Sequence, residues 1–357
     1  MERLADVKPP VENKIEYLRE LASGFETGQI FLTALELDIF SKLQESQSAE
    51  KLAGELETDP DLTGRFLDVL TAMRLLAKNH DQYHTAPETA PFLMEGSPFF
   101  ARYLMFGIRS RETWLNLKEI LKKGPTGEPD KHEHDYDQQC IDWMARGTML
   151  GRLQATVRQV RDLPEFSRAR KLIDLGGGHG LFGIAFAQEN PELDVVIFDK
   201  PEVTPMTQVY IDRYGMADRI HTISGDYTKD TLGTDYDIAF EACSFAGDEN
   251  GSRAFFSKVC NALKDNGLFI RLTFTLDDNR SGPISSLVWD LKDHLTGHSH
   301  MPMRTNSELF QLLQEAGLTG ERVIDMSPWC SMPMRLIISR KTRIFPGNST
   351  GSIRTEC

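Results

Sequence analysis

The chain has 357 residues, 40 Lys+Arg against 53 Asp+Glu, and a formal net charge of −13. That length calls for two domains, or one large one with an appendage, and the acidic balance disfavours nucleic acid, whose phosphates are met by Lys and Arg. No stretch approaches the ~18 apolar residues of a membrane span, and MERLADVKPPVENK has acids and prolines where a signal peptide needs an apolar run. Cys140, Cys243, Cys260, Cys330 and Cys357 are widely spaced and form no CxxC, which points to a reducing, cytoplasmic setting rather than a disulfide framework or zinc ribbon.

The N-terminal segment GQIFLTALELDIFSKL places Ile30, Phe31, Ala34, Leu35, Leu37, Phe40 and Leu43 near a 3.6-residue period, which predicts a helix. Helical patterns follow at Ser48–Leu56 and Leu62–Lys78, then a short β piece at Gln82–Thr85 ahead of Pro87 and Pro91. Short helices followed by a β piece outline a winged helix over residues 1–100. Such a fold serves either as a DNA reader or as a packing module. Its 9 Lys+Arg against 18 Asp+Glu oppose the first use, because a face that meets phosphates should be basic. Residues 101–168 read as further helices rich in large side chains, among them Trp114, Trp143, Met144 and Met149. Each alone reads as core packing; together they are expected to form a helical linker and the roof of an apolar pocket. The polar stretch Lys123–Asp137 reads as a solvated loop, so His132 and His134 are not taken as metal ligands.

From Lys171 strands and helices alternate. Strand-like runs are Lys171–Leu175, Asp194–Phe198, Ile220–Ile223, Asp237–Ala242, Leu268–Thr273, Arg322–Met326 and Met334–Ser339. Helical ones are Leu181–Asn190, Val203–Tyr214, Gly251–Leu263 and Asn306–Gly317. Repeated βαβ spacing predicts an α/β fold, a doubly wound, Rossmann-like sheet of seven strands over residues 169–342. The last two strands have no helix between them and should pair as an antiparallel hairpin. Residues 343–357 lack periodicity and read as a mobile tail.

The strongest local signal is Asp174-Leu175-Gly176-Gly177-Gly178-His179-Gly180, at the carboxyl end of the first of these strands, where open α/β sheets bind ligands. Its GxGxG spacing (Gly176, Gly178, Gly180) puts Leu181 where a dinucleotide fingerprint needs glycine, and no GK[ST] is present. Asp174 would repel a pyrophosphate but suits a ligand with a cationic head. Asp199 closes the second strand 19 residues past Gly180, where a carboxylate can accept hydrogen bonds from both ribose hydroxyls. Gly225-Asp226-Tyr227 ends the third strand with an acid and a ring for an adenine. A ligand with a cationic head, a ribose and an adenine is S-adenosyl-L-methionine.

The motifs DLGGGHG (174–180), FDKPEV (198–203), GDY (225–227), ALKDNGLFI (262–270) and RTNSELFQLLQEAGL (304–318), with the helical pattern near residue 30, carry a resemblance. The chain resembles the class I S-adenosylmethionine-dependent methyltransferases. More narrowly it resembles the two-domain small-molecule O-methyltransferases of caffeate and hydroxyindole type, with bacterial relatives that include carbon-methylating bacteriochlorophyll-type members. The likeness runs from about residue 15 to 340. It implies an N-terminal winged-helix-like dimerisation domain, a homodimer, and an apolar, aromatic acceptor. It also implies that Gly176 and Gly178 meet the methionine part, Asp199 the ribose, and Asp226 and Tyr227 the adenine.

The resemblance breaks where the family carries its base, a His after the fourth strand. Here the segment reads EACSFAGDE (241–249), and Ser244 stands nearest the His position. Serine is no base near neutral pH without an activator. Three readings follow. Another histidine has taken the role, with His294 and His298 as candidates; or the acceptor needs little base help, as a carbon or an acidic phenol would; or the fold binds the cofactor without transferring methyl, as a decarboxylase or hydroxylase-like relative would. His294, His298 and His300 are weighed as pocket residues, and Gly297 and Pro302 end any helix after about Leu295, so no metal is assigned. Rivals from other classes are a winged-helix regulator sensing the cofactor and a dinucleotide oxidoreductase.

Overall fold

A computed structural model of the chain describes residues 14–97, 99–125, 137–297, 303–330 and 332–342. Two compact units divide between Trp114 and Leu115. In the first, α1 (Lys14–Glu36) and α2 (Ile39–Lys42) lead to β1 (Gln47–Ser48), α3 (Ala49–Leu56) and α4 (Pro60–Ala72). A hairpin of β2 (Leu76–Asn79) and β3 (Gln82–Thr85) follows, with β1 on the far side of β3, then α5 (Ala90–Leu93) and α6 (Phe106–Leu115). Helix starts follow their caps. The Ser48 hydroxyl accepts from Lys51 N at 3.3 Å, and Asp59 accepts from Leu62 N at 2.9 Å with Pro60 at the first helical turn. The core joins Ile39, Phe40, Leu43, Leu52, Leu67 and Leu70.

Two expected helices differ. The first is broken at Asp38, whose φ of 51° is left-handed, into α1 and α2. The run expected as one helix over 62–78 ends at Ala72, turns at Arg74 (φ 61°) and continues as β2, where Leu76 pairs with Thr85. Leu70, Leu75 and Leu76 keep a hydrophobic pattern through the break, so apolar periodicity alone runs over it.

The second unit opens with α7 (Leu117–Lys123), α8 (Gln138–Met149) and α9 (Arg152–Arg161). Then come β4 (Lys171–Leu175), α10 (Leu181–Glu189), β5 (Asp194–Asp199), α11 (Thr204–Arg213), β6 (Ile220–Ser224) and β7 (Tyr236–Ala242). The chain continues through α12 (Glu249–Ala262), β8 (Leu263–Thr273), α13 (Ile284–Leu295), α14 (Asn306–Glu315), β9 (Leu318–Asp325) and β10 (Arg335–Lys341). The seven strands lie in the order β6-β5-β4-β7-β8-β10-β9. β6 to β8 run parallel, and β10 is antiparallel to both β8 and β9, so the terminal hairpin is as expected.

Along β4, Leu172 enters one apolar cluster with Phe182, Phe186 and Phe240. Ile173 and Leu175 enter another with Phe198, Phe255 and Phe256. This is the alternation of a strand buried on both faces. Each fully buried Phe contributes roughly 1.5–3 kcal/mol. Because β4 lies between β5 and β7, the strand order reverses at its carboxyl end, and the helices connected there leave a crevice. The expected tail, 343–357, lies outside the described residues. No helix among the described residues is long and apolar enough to cross a membrane.

Candidate active site

The glycine loop joins β4 to α10 at that crevice. Gly176, Gly178 and Gly180 have φ of 67°, 55° and 74°, values costly for residues with a Cβ. A Cβ on Gly176 would collide with the Ser244 side chain, whereas one on Gly178 would meet nothing within 4 Å. Gly176 therefore lets the β7 turn close in, and Gly178 offers bare backbone to the crevice. Asp174 is 1 % exposed, and its Oδ2 has no hydrogen-bond partner. Burial, and next the Asp199 charge, push its carboxyl up to about 8.

Asp199 ends β5. Its Oδ2 accepts from Gly178 N and its Oδ1 from Lys200 N, both at 2.7 Å, which fixes the carboxylate against the loop. Each oxygen keeps a lone pair for a further donor. Burial raises its pKa despite these backbone bonds. Asp226 accepts from Thr228 N at 3.0 Å and pairs with Lys229 at 2.8 Å, and these partners pull its carboxyl down to about 2. The Tyr227 ring packs edge-on to Phe198 and its hydroxyl donates to Ser244 O at 2.7 Å. The Asp199 carboxylate and the Tyr227 ring therefore both lie against the glycine loop.

The turn after β7 is built around a buried ion pair. Arg271 Nε lies 2.9 Å from Glu241 Oε2, with the Glu side chain fully buried. Glu241 Oε1 also accepts from Ser244 N at 2.5 Å and Phe245 N at 2.9 Å. Ser244 Oγ donates to Leu175 O at 2.7 Å and lies 3.1 Å from Glu241 Oε1. Its hydroxyl is thus committed to the end of β4. Cys243 (φ 54°) points its thiol at Leu272 O, 3.3 Å away, and burial pushes it up to about 12.

Beyond the carboxyl ends of β7 and β8 lies a cavity lined by Cys243, Phe245, Phe274, Trp289, Met303 and Arg304, with Asp293 also on its wall. Its edge at Cys243 adjoins Ser244 and so the glycine loop. His294 sits on α13 with Nδ1 2.7 Å from Asp290 O and is 55 % exposed, whereas its neighbour Asp293 lines the cavity. His298 and His300 lie outside the described residues.

Sequence reasoning passed over His179. It is buried, its Nδ1 accepts from Leu181 N at 3.1 Å, and its Nε2 lies 3.0 Å from Thr148 Oγ1 on α8. The first bond requires the proton on Nε2. Burial, and next Arg152, bring its pKa to about 3, so it stays neutral and ties the loop to α8. Its place inside the DLGGGHG motif was the available signal.

The crevice chemistry and sheet order are those of an S-adenosylmethionine-dependent methyltransferase. Residues 127–319 match the family model described as the O-methyltransferase domain, and residues 19–95 the O-methyltransferase dimerisation domain. The chain belongs to this O-methyltransferase family, whose methyl donor is S-adenosylmethionine. It is 28 % identical over 338 residues to an uncharacterized protein of Methanocaldococcus jannaschii, covering 90 % of this chain and 89 % of the relative. It is 25 % identical to the 3-hydroxy-5-methyl-1-naphthoate 3-O-methyltransferase of Streptomyces sahachiroi, covering 88 % and 93 %. Further matches are named as carbon and nitrogen methyltransferases. Among solved structures, an O-methyltransferase family protein of Burkholderia thailandensis superposes with a TM-score of 0.74 at 20 % identity, covering 94 % of this chain and all of that one.

Proposed function

We propose that this chain methylates an oxygen of an apolar, aromatic small molecule, acting as a homodimer. The observation that carries the reading is the cavity lined by Phe245, Phe274, Trp289 and Met303, which adjoins the glycine loop through Cys243 and Ser244. Its aromatic and aliphatic walls suit an aromatic acceptor, with Arg271, Thr273, Thr275, Asp293 and Arg304 there to meet its polar groups. The partnerless Asp174 Oδ2 and the open backbone at Gly178 fit a cationic, closely approaching donor.

When bound, S-adenosylmethionine supplies an electrophilic methyl carbon on a positively charged sulfur. Gly176, Gly178 and Gly180 let its methionine part approach the main chain, and Asp174 answers the positive charge. Asp199 accepts from the ribose hydroxyls, while Asp226 and Tyr227 flank the adenine. Ser244 acts by holding the β7 turn to β4 and Tyr227, which sets the floor between donor and acceptor. Positioning and exclusion of water are the main contributions of such a site. The test is transfer of radiolabel from methyl-labelled S-adenosylmethionine to hydroxylated aromatics, read in the organic extract. Label in products of carbon methylation alone would overturn the choice of oxygen.

Two results are expected from this reading. At pH 7 Asp174 is largely protonated before the cofactor arrives, and a nearby positive charge favours its ionised form. S-adenosylmethionine binding should therefore release most of one proton, seen as a binding enthalpy that changes with the buffer's ionisation enthalpy. Asp174→Asn should remove that buffer dependence.

The second concerns α1, where Ile15, Leu18, Leu21 and Phe25 form one face and are 57–68 % exposed. An apolar stripe of this kind is a surface for another chain. Leu21→Glu with Phe25→Glu should convert a dimer to a monomer by light scattering, weakening association at least ~100-fold because each buried carboxylate goes unpaired.

A further inference from the structure

With Ser244 committed to Leu175 O and His294 turned outward, the proton acceptors for the acceptor hydroxyl among the described residues lie on the cavity wall. Among the described residues on that wall, Cys243 and Asp293 are the groups with a proton-accepting form in reach. Cys243 is not a usable base, because burial holds its thiol protonated and it faces Leu272 O. Asp293 precedes His294, and one residue on a helix is a turn of ~100°, which puts the carboxylate inward and the imidazole out. The indole of Trp289, four residues earlier on α13, lines the same cavity, and its ring packs 5.1 Å from Phe274. The carboxylate therefore lies half-buried on the cavity wall, beside its aromatic residues.

Resting on the reading of this cavity as the acceptor site, we propose that Asp293 is the general base that takes the proton of an aromatic hydroxyl bound there. The O–H bond breaks toward the carboxylate. The oxygen's electron pair forms the new bond to the methyl carbon as the carbon–sulfur bond breaks, its electrons going to sulfur. The products are a methyl ether, a neutral thioether and a carboxylic acid, which returns its proton to solvent.

The charges around Asp293 support the role. Lys292, His294 and Asp290 lie on its own helix, and Asp290 opposes the other two. Arg304 and Arg271 line the same cavity, but Arg271 is matched by Glu241. On α7, which packs against α13, Lys118, Glu119, Lys122 and Lys123 face solvent. Burial is the largest influence and raises the Asp293 pKa from its ordinary value, which strengthens it as a base.

The test uses the full chain, with S-adenosylmethionine affinity measured first on wild type, Asp293→Asn and Asp293→Glu. The probes, used at about pH 8, are 2-naphthol, which holds its proton there, and 4-nitrophenol, which is largely ionised there. In the presence of S-adenosylhomocysteine, 2-naphthol should bind wild type more tightly as pH rises through the Asp293 titration. Asp293→Asn should show no such dependence. Methylation of 2-naphthol should fall about 100-fold in Asp293→Asn and much less for 4-nitrophenol, with Asp293→Glu recovering part of the loss. Equal losses on both phenols, wild-type behaviour in Asp293→Asn, or a wild type that binds the donor but neither phenol would each overturn the proposal. Failure to bind the donor would instead overturn the functional reading beneath it.

Discussion

Asp199→Ala is expected to weaken S-adenosylmethionine binding at least ~100-fold while leaving the chain folded. The carboxylate is pinned by Gly178 N and Lys200 N, so it loses little freedom when two ribose hydroxyls arrive. Hydrogen bonds to a charged group contribute roughly 1.5–3 kcal/mol each, and about 2.7 kcal/mol is already a factor of 100. Gly178, released from Asp199, would add to the loss by letting the loop wander. Stability should hardly fall, because burial already raises the Asp199 pKa and removing a buried carboxylate relieves that cost. Calorimetric titration beside a thermal melt checks both halves. A variant that binds within about threefold of wild type would take the ribose away from Asp199.

Arg271→Ala should be the most damaging single change to stability, by about 3–5 kcal/mol. It leaves the Glu241 carboxylate at 0 % exposure without its cation. It also removes the donor to Phe245 O at 3.1 Å and the guanidinium over the Phe245 and Phe256 rings. Since Glu241 holds Ser244 N and Phe245 N, the β7 turn and the glycine loop packed on it should loosen together. Chemical denaturation of Arg271→Ala, Glu241→Gln and the double variant reads the coupling directly. The double variant should be more stable than Arg271→Ala. If it is less stable, the arginine acts by packing rather than by charge.

The parts of the candidate site that were legible in sequence share one property: their signal is local. A strand ending in DLGGG announces a sharp, ligand-facing turn, because positive φ and close approach both require glycine at specific positions. Asp199 and Tyr227 follow from the same logic at neighbouring strand ends. The Glu241–Arg271 pair was not legible, since β7 and β8 bring its members together only after the sheet forms. The place of Asp293 on the cavity wall was not legible for a different reason: the phase of α13 about its axis is set by packing of Trp289 on Phe274, which the sequence does not display. The turn at Arg74 was hidden because leucines continue through it, so the hydrophobic pattern carried no mark of where α4 stops.

The central claim is that the crevice at the end of β4 holds S-adenosylmethionine through the glycine loop and Asp199. Calorimetric titration of the purified chain with S-adenosylmethionine, S-adenosylhomocysteine and NADH tests it most directly. Binding of both adenosyl ligands with dissociation constants on the order of micromolar, abolished in Asp199→Ala and without binding of NADH, is the predicted result. A folded protein that binds neither adenosyl ligand, or that binds NADH in their place, would contradict it.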